Sequence, residues 1–162
     1  MFSCSEITAQ PFWFKNHGGV GNDEALDVTN DLSGNHIVTG YFTQSVAFGS
    51  TTLTTSSISD IFIAKYSPTG TLLWAVQAGG IGADRGYSVR CDASGNIYVT
   101  GYFNHSAAFG STTLVANAAS QDIFITKLDL LGNFIWTKTM GSDLGDTGYG
   151  ISTDNSGNVI VT

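Results

Sequence analysis

Apolar residues in this chain fall in short clusters that are hydrophobic at successive positions and closed by Gly, Asn, Asp or Ser. In the middle of the sequence the clusters are GYSVRC (86–91), IYVTGYF (97–103), DIFITKL (122–128) and FIWTKTM (134–140). Their β-branched and aromatic residues predict four strands, A to D. DASGN joins A to B and DLLGN joins C to D, each compact enough for a hairpin with Gly or Asn in a left-handed conformation. Strands A to D therefore read as an antiparallel meander. Along strand B, Ile97, Val99 and Phe103 point one way and Tyr98, Thr100 and Tyr102 the other. In an earlier cluster Ile61 and Ile63 oppose Phe62, Ala64 and Tyr66. A sheet with one wet face would alternate apolar with polar. These strands are apolar on both faces, so each sheet is expected to lie between two others.

The pattern repeats. DLSGNHIVTGYF (31–42) returns as DASGNIYVTGYF (92–103) and begins again as DNSGNVIVT (154–162). Trp13, Trp74 and Trp136 keep spacings of 61 and 62, as do Asp23, Asp84 and Asp146, and Asp60 and Asp122 are 62 apart. Four-stranded meanders stacked at a fixed period are the blades of a β-propeller. The expected fold class is all-β, with propeller blades in an incomplete ring. PFWFKNHGG aligns with LLWAVQAGG, so residues 1–22 read as a segment with a lone outer strand D. Residues 23–83 read as one blade, 84–145 as a second, and 146–162 as the first two strands of a third. That is about 2.6 repeats in 162 residues, where closed propellers have roughly 4 to 8 blades. An open arc exposes two apolar sheet faces, which predicts self-association or further blades of a longer chain.

The run DASGNIYVTGYF…FGSTTL…DIFITKLDLLGNFIWTKTMG resembles the seven-bladed β-propeller repeat family called SBBP, with NHL-like blades. The resemblance covers nearly all of the chain after about residue 10. It implies a propeller within a larger bacterial surface or secreted protein, and no established catalytic residues.

Charge narrows the partners. Charged residues are only 12% of the chain, and the net charge of −7 includes just six Lys and Arg, against about 25% charged in an average soluble protein. Nucleic acid is excluded as a partner, because phosphate binding needs clustered cations, and so is docking on anionic lipid. No apolar run is long enough to insert in a membrane, and MFSCSEITAQ is no signal peptide. Cys4 and Cys91 give neither a disulfide framework nor a metal spacing. The Thr-, Asn- and Gly-rich composition, with the resemblance, points to an extracellular or cell-surface parent protein.

Candidate chemistry collects on one rim. The D-to-A connections carry Asp23, Asp84 and Asp146, and the B-to-C connections end at Asp60 and Asp122. In a meander these connections share a face of the disc, together with the long loops 43–59 and 104–121, and loops on a rigid scaffold favour recognition. Asp23, Asp84, Arg85, Asn104, His105, Asp122 and Asp146 are the candidate binding residues. Arg85, Asn104 and His105 stand out because they replace Glu24, Thr43 and Gln44 of the preceding copy. Each repeated Asp is expected to accept backbone N–H bonds at its turn, and exposed turn aspartates are not expected to have raised pKa values. Lys65 and Lys127 are expected to pair with Asp31 and Asp92, and the tryptophans, with Phe48 and Phe109, to pack between blades or under loops. No cofactor or metal is expected. The sequence lacks a GxSxG elbow, an HExxH pair and a phosphate-cradling loop. These observations predict a non-catalytic scaffold for a protein or other ligand. The alternative is an extracellular lectin or enzyme that uses the same rim on polysaccharide.

Overall fold

The computed structural model describes residues 17–154 and 157–162. The strands, in chain order, are β1 (Gly19–Val20), β2 (Glu24–Asn30), β3 (His36–Phe42), β4 (Ser45–Phe48), β5 (Thr51–Thr54), β6 (Asp60–Tyr66), β7 (Leu72–Ile81) and β8 (Arg85–Cys91). They continue as β9 (Ile97–Asn104), β10 (Ser106–Phe109), β11 (Thr112–Val115), β12 (Gln121–Leu128), β13 (Phe134–Met140), β14 (Ile151–Thr153) and β15 (Val159–Val161).

Two antiparallel four-stranded meanders form the body, β2-β3-β6-β7 and β8-β9-β12-β13, followed by the pair β14-β15. The repeat extends to irregularities in register: Ala25/Asp27 matches Gly86/Ser88, and Lys65/Tyr66 matches Lys127/Leu128. The A-to-B turns close as the sequence requires. Asp31 Oδ1 accepts the N–H groups of Ser33 and Asn35, both at 2.9 Å, and Gly34 takes φ +77°. Asp92 and Gly95 reproduce that turn.

All seven residues of β6 are buried, as the two-faced apolar pattern predicts. The sheets stack face to face, and Ile37, Ile61 and Ile63 of the first sheet share a core with Val89, Val99 and Phe124 of the second. The incomplete all-β propeller architecture is therefore present in the chain. Among the described residues no helix is long and apolar enough to cross a membrane.

The segments 43–59 and 104–121 differ from the loops expected. Each contains a hairpin, β4-β5 or β10-β11. The signal is a short period-two alternation: Val46, Phe48 and Leu53 face inward and are buried, as are Ala107, Phe109 and Leu114 in the second copy. The hairpins also join neighbouring repeats. Gly79, Gly80 and Ile81 at the end of β7 pair with Ala108, Ala107 and Ser106 of β10, so an outer strand of one sheet runs on into the hairpin of the next. β1 meets β4 in the same way.

Candidate functional site

The D-to-A connections are fastened by their aspartates. Asp84 is fully buried; Gly80 N–H donates to its Oδ2 at 2.9 Å and Asn104 N–H to its Oδ1 at 3.0 Å. Asp23 accepts from Gly19 N–H at 2.9 Å and Thr43 N–H at 3.3 Å, and Asp146 from Ser142 N–H at 2.7 Å. One carboxylate thus ties the end of a strand D to the end of the following strand B. Asp122, also fully buried, accepts from Asn117 N–H at 3.1 Å and the Ser120 hydroxyl at 3.2 Å. The expected backbone bonds are there, distributed one junction at a time instead of converging on a common ligand point. Among the described residues no group of three or more His, Cys, Asp or Glu side chains gathers where it could hold a metal.

The expectation of ordinary, exposed aspartates is corrected. Burial pushes the Asp84 carboxyl up to about 7, two backbone N–H bonds pull against it, and neighbouring Asp60 adds to the rise. Asp60 is itself buried and raised by burial, with Thr55 opposing, and its Oδ1 has no hydrogen-bond partner. The end of β7 packs on both side chains, with Gly79 against Asp60 and Gly80 N–H on Asp84, and no linear reading of a turn motif contains that cover.

Arg85 begins β8 and lies in a cluster of tyrosines. Its guanidinium carbon is 4.1 Å from the centroid of the Tyr41 ring. Burial works to lower its pKa, but Tyr102, Tyr41 and Tyr87 raise it overall, so the cation is held charged. The Tyr87 ring is 5.8 Å from Tyr102 and 5.4 Å from Tyr149. Asn104 joins from the end of β9, where its amide also donates to Ala83 C=O. Exposed His105, next in the chain, has φ +54° and turns the backbone into β10, as Gln44 does in the first copy. Asp84, Arg85 and Asn104 therefore form one neighbourhood, while Asp23, Asp122 and Asp146 belong to other junctions. The tyrosines were missed as a group because strand pairing and sheet stacking, not linear spacing, bring them together.

At the opposite rim Lys65 Nζ is 2.9 Å from Asp31 Oδ2, and both side chains are nearly inaccessible. Burial by itself raises the Asp31 carboxyl, but the bonds from Asn35 and Lys65 together outweigh it and draw the pKa down to about 2. The second copy departs from the expected pairing. The Tyr98 hydroxyl donates to Asp92 at 3.0 Å, and Lys127 sits 5.2 Å from the Tyr98 ring centroid. The reason is local: the position of Tyr98 is Ile37 in the first copy, which has no hydroxyl to offer. Trp74 Nε1 donates to Leu130 C=O in the next sheet's turn at 3.1 Å, the packing under a loop expected of it. Trp13 lies outside the described residues. A cleft of about 250 Å3 opens here beside Asp31, Lys65, Ser94 and Leu130.

Sheets of this topology, repeated and stacked, define a β-propeller repeat protein. Residues 73–106 match the Beta-propeller repeat family SBBP. The chain is also 30% identical over 155 residues to an uncharacterized WD repeat-containing protein of Acanthamoeba polyphaga mimivirus. The match takes in 83% of this chain and 11% of the viral protein, so the chain spans about a tenth of the relative's length.

Proposed function

We propose that the chain is a stretch of non-catalytic β-propeller scaffold that binds a protein or other ligand, continued by further blades in a larger extracellular or surface protein. One observation carries this reading: repeat positions that are buried within the stack are exposed at its ends. Val28 is 56% exposed, while its counterparts Val89 and Ile151 are 0% and 4% exposed. At the other end Ile160 is 57% exposed, against 0% for Ile37 and 3% for Tyr98. Burying such a side chain contributes roughly 1.5–3 kcal/mol, and sheets with this sequence pattern form to be covered on both faces. Each end presents the half-interface that the other end lacks, so further blades of the same repeat fit there. The SBBP match and the far longer viral relative support continuation into more blades.

Light scattering after size exclusion tests the reading on this chain. The expected result is association to a mass above 17.1 kDa, abolished by Val28→Asp or Ile160→Asp. A well-folded monomer that stays monomeric at high micromolar concentration would show that the end faces need no further blades.

A further inference from the structure

Arg85 interrupts the repeat where function has most freedom to differ. Its counterparts are Glu24 and Thr147, so the charge reverses at an otherwise matched position. Among the described residues Lys65 and Arg90 each have a carboxylate within ion-pair distance, whereas Arg85, like Lys127 and Lys138, lies over an aromatic ring and has none. Its buried Nε has no hydrogen-bond acceptor. The guanidinium carbon rests 4.1 Å from the Tyr41 ring centroid, and a guanidinium is suited to paired bonds with a carboxylate. Beside it, Tyr149 is 69% exposed and leans on Tyr87 at an interplanar angle of 45°, leaving a ring open to a flat, partly apolar ligand.

We propose that this cluster binds an acidic saccharide, with the Arg85 guanidinium taking a uronate carboxylate and the Tyr87–Tyr149 rings taking the C–H face of a sugar. A saccharide suits the cluster because open aromatic rings stack on sugar faces. β8, which carries Arg85 and Tyr87, is also the edge strand of its sheet, and a peptide adding to that edge is the outcome the tri-glutamate comparison tests. The proposal deepens the binding-scaffold reading and rests on it.

The test is a titration of the whole chain with trigalacturonate, followed by calorimetry and by tyrosine ring NMR signals. Neutral maltotriose and a tri-glutamate peptide serve as comparisons. Trigalacturonate should bind at least about tenfold more tightly than either, as a charge-assisted bond implies, and should weaken as salt rises. Arg85→Gln should remove about that tenfold advantage. Tyr149→Ala, at a ring already in solvent, should weaken binding several-fold without changing the melting temperature. The proposal is overturned by no trigalacturonate binding up to about 10 mM, by equal binding of maltotriose, or by tighter binding of the peptide. Unchanged affinity in Tyr149→Ala overturns it as well, whatever happens to the folding of Arg85→Gln. A failed titration in a chain that still associates through Val28 and Ile160 removes the saccharide and leaves the scaffold.

Discussion

Asp84 shows how one repeated residue can be structural and titratable together. Its two backbone bonds hold the D-to-A connection, yet burial leaves it with a pKa near 7 instead of the ordinary 3.8. A carboxyl whose folded pKa is raised binds its proton more tightly in the folded state. Its contribution to stability is therefore complete below about pH 4 and declines as pH rises towards 7, by at most about 1.4 kcal/mol per pH unit. Thermal melts should show a falling melting temperature between pH 5 and pH 7. Asp84→Asn should flatten that slope even if it lowers stability overall, because the amide turns an N–H towards one of the two backbone donors. An unchanged slope in the variant would place the titration elsewhere. Asp31 behaves oppositely. Its lowered pKa supports the fold above about pH 4, and this support is lost as pH falls towards 2.

At the scale of the element, the consequential feature is the strand that leaves its own sheet. β7 pairs with β6 through Ala78 and then with β10 from Gly79 onward. A side chain cannot be added at that crossing, because a Cβ on Gly80 would lie 2.2 Å from Ser106 C=O. Gly80→Ala should destabilise the chain by about 2 kcal/mol or more, the range for overpacking, and speed amide exchange in β10. Gly95→Ala, at φ +80° with open space around it, should cost about 1 kcal/mol and leave β10 protected. Equal exchange in the two variants would mean that the crossing does not hold the hairpin.

Across the whole molecule, stacking depends on contacts that differ in how faithfully they repeat. Gly86 packs on Thr39 and Gly148 on Thr100, where a Cβ would stand 2.4 Å from the Thr hydroxyl in both cases. The bond set of Asp27 has no counterpart in the later copies, which carry Ser88 and Gly150 there. Asp27 Oδ2 accepts Val89 N–H at 3.0 Å, the Ser88 hydroxyl at 2.8 Å and Arg90 Nη1 at 2.7 Å, all across the sheet interface. Losing the acceptor orphans a backbone N–H, so Asp27→Ala should lower stability by about 1–3 kcal/mol. Arg90→Ala should cost under about 1 kcal/mol, since its side chain is 43% exposed and the ion pair is screened. Denaturant melts with a double-mutant cycle measure both. Equal losses would assign the interface to the ion pair instead of the backbone bond.

The sequence alone determined the period, the four-strand meander, the Asp–Gly–Asn turns and the burial of both sheet faces. These follow from local propensity and from a side-chain alternation that any one segment displays. It also indicated which connections share a rim, because an antiparallel meander leaves no other arrangement. Only the tertiary structure decided that β4-β5 and β10-β11 are hairpins, that β7 and β10 join adjacent repeats, and that Asp84 is enclosed. It likewise gathered Arg85 with Tyr41, Tyr87, Tyr102 and Tyr149. Those outcomes depend on residues far apart in sequence meeting across a stacked interface, and neither strand period nor turn chemistry encodes that meeting.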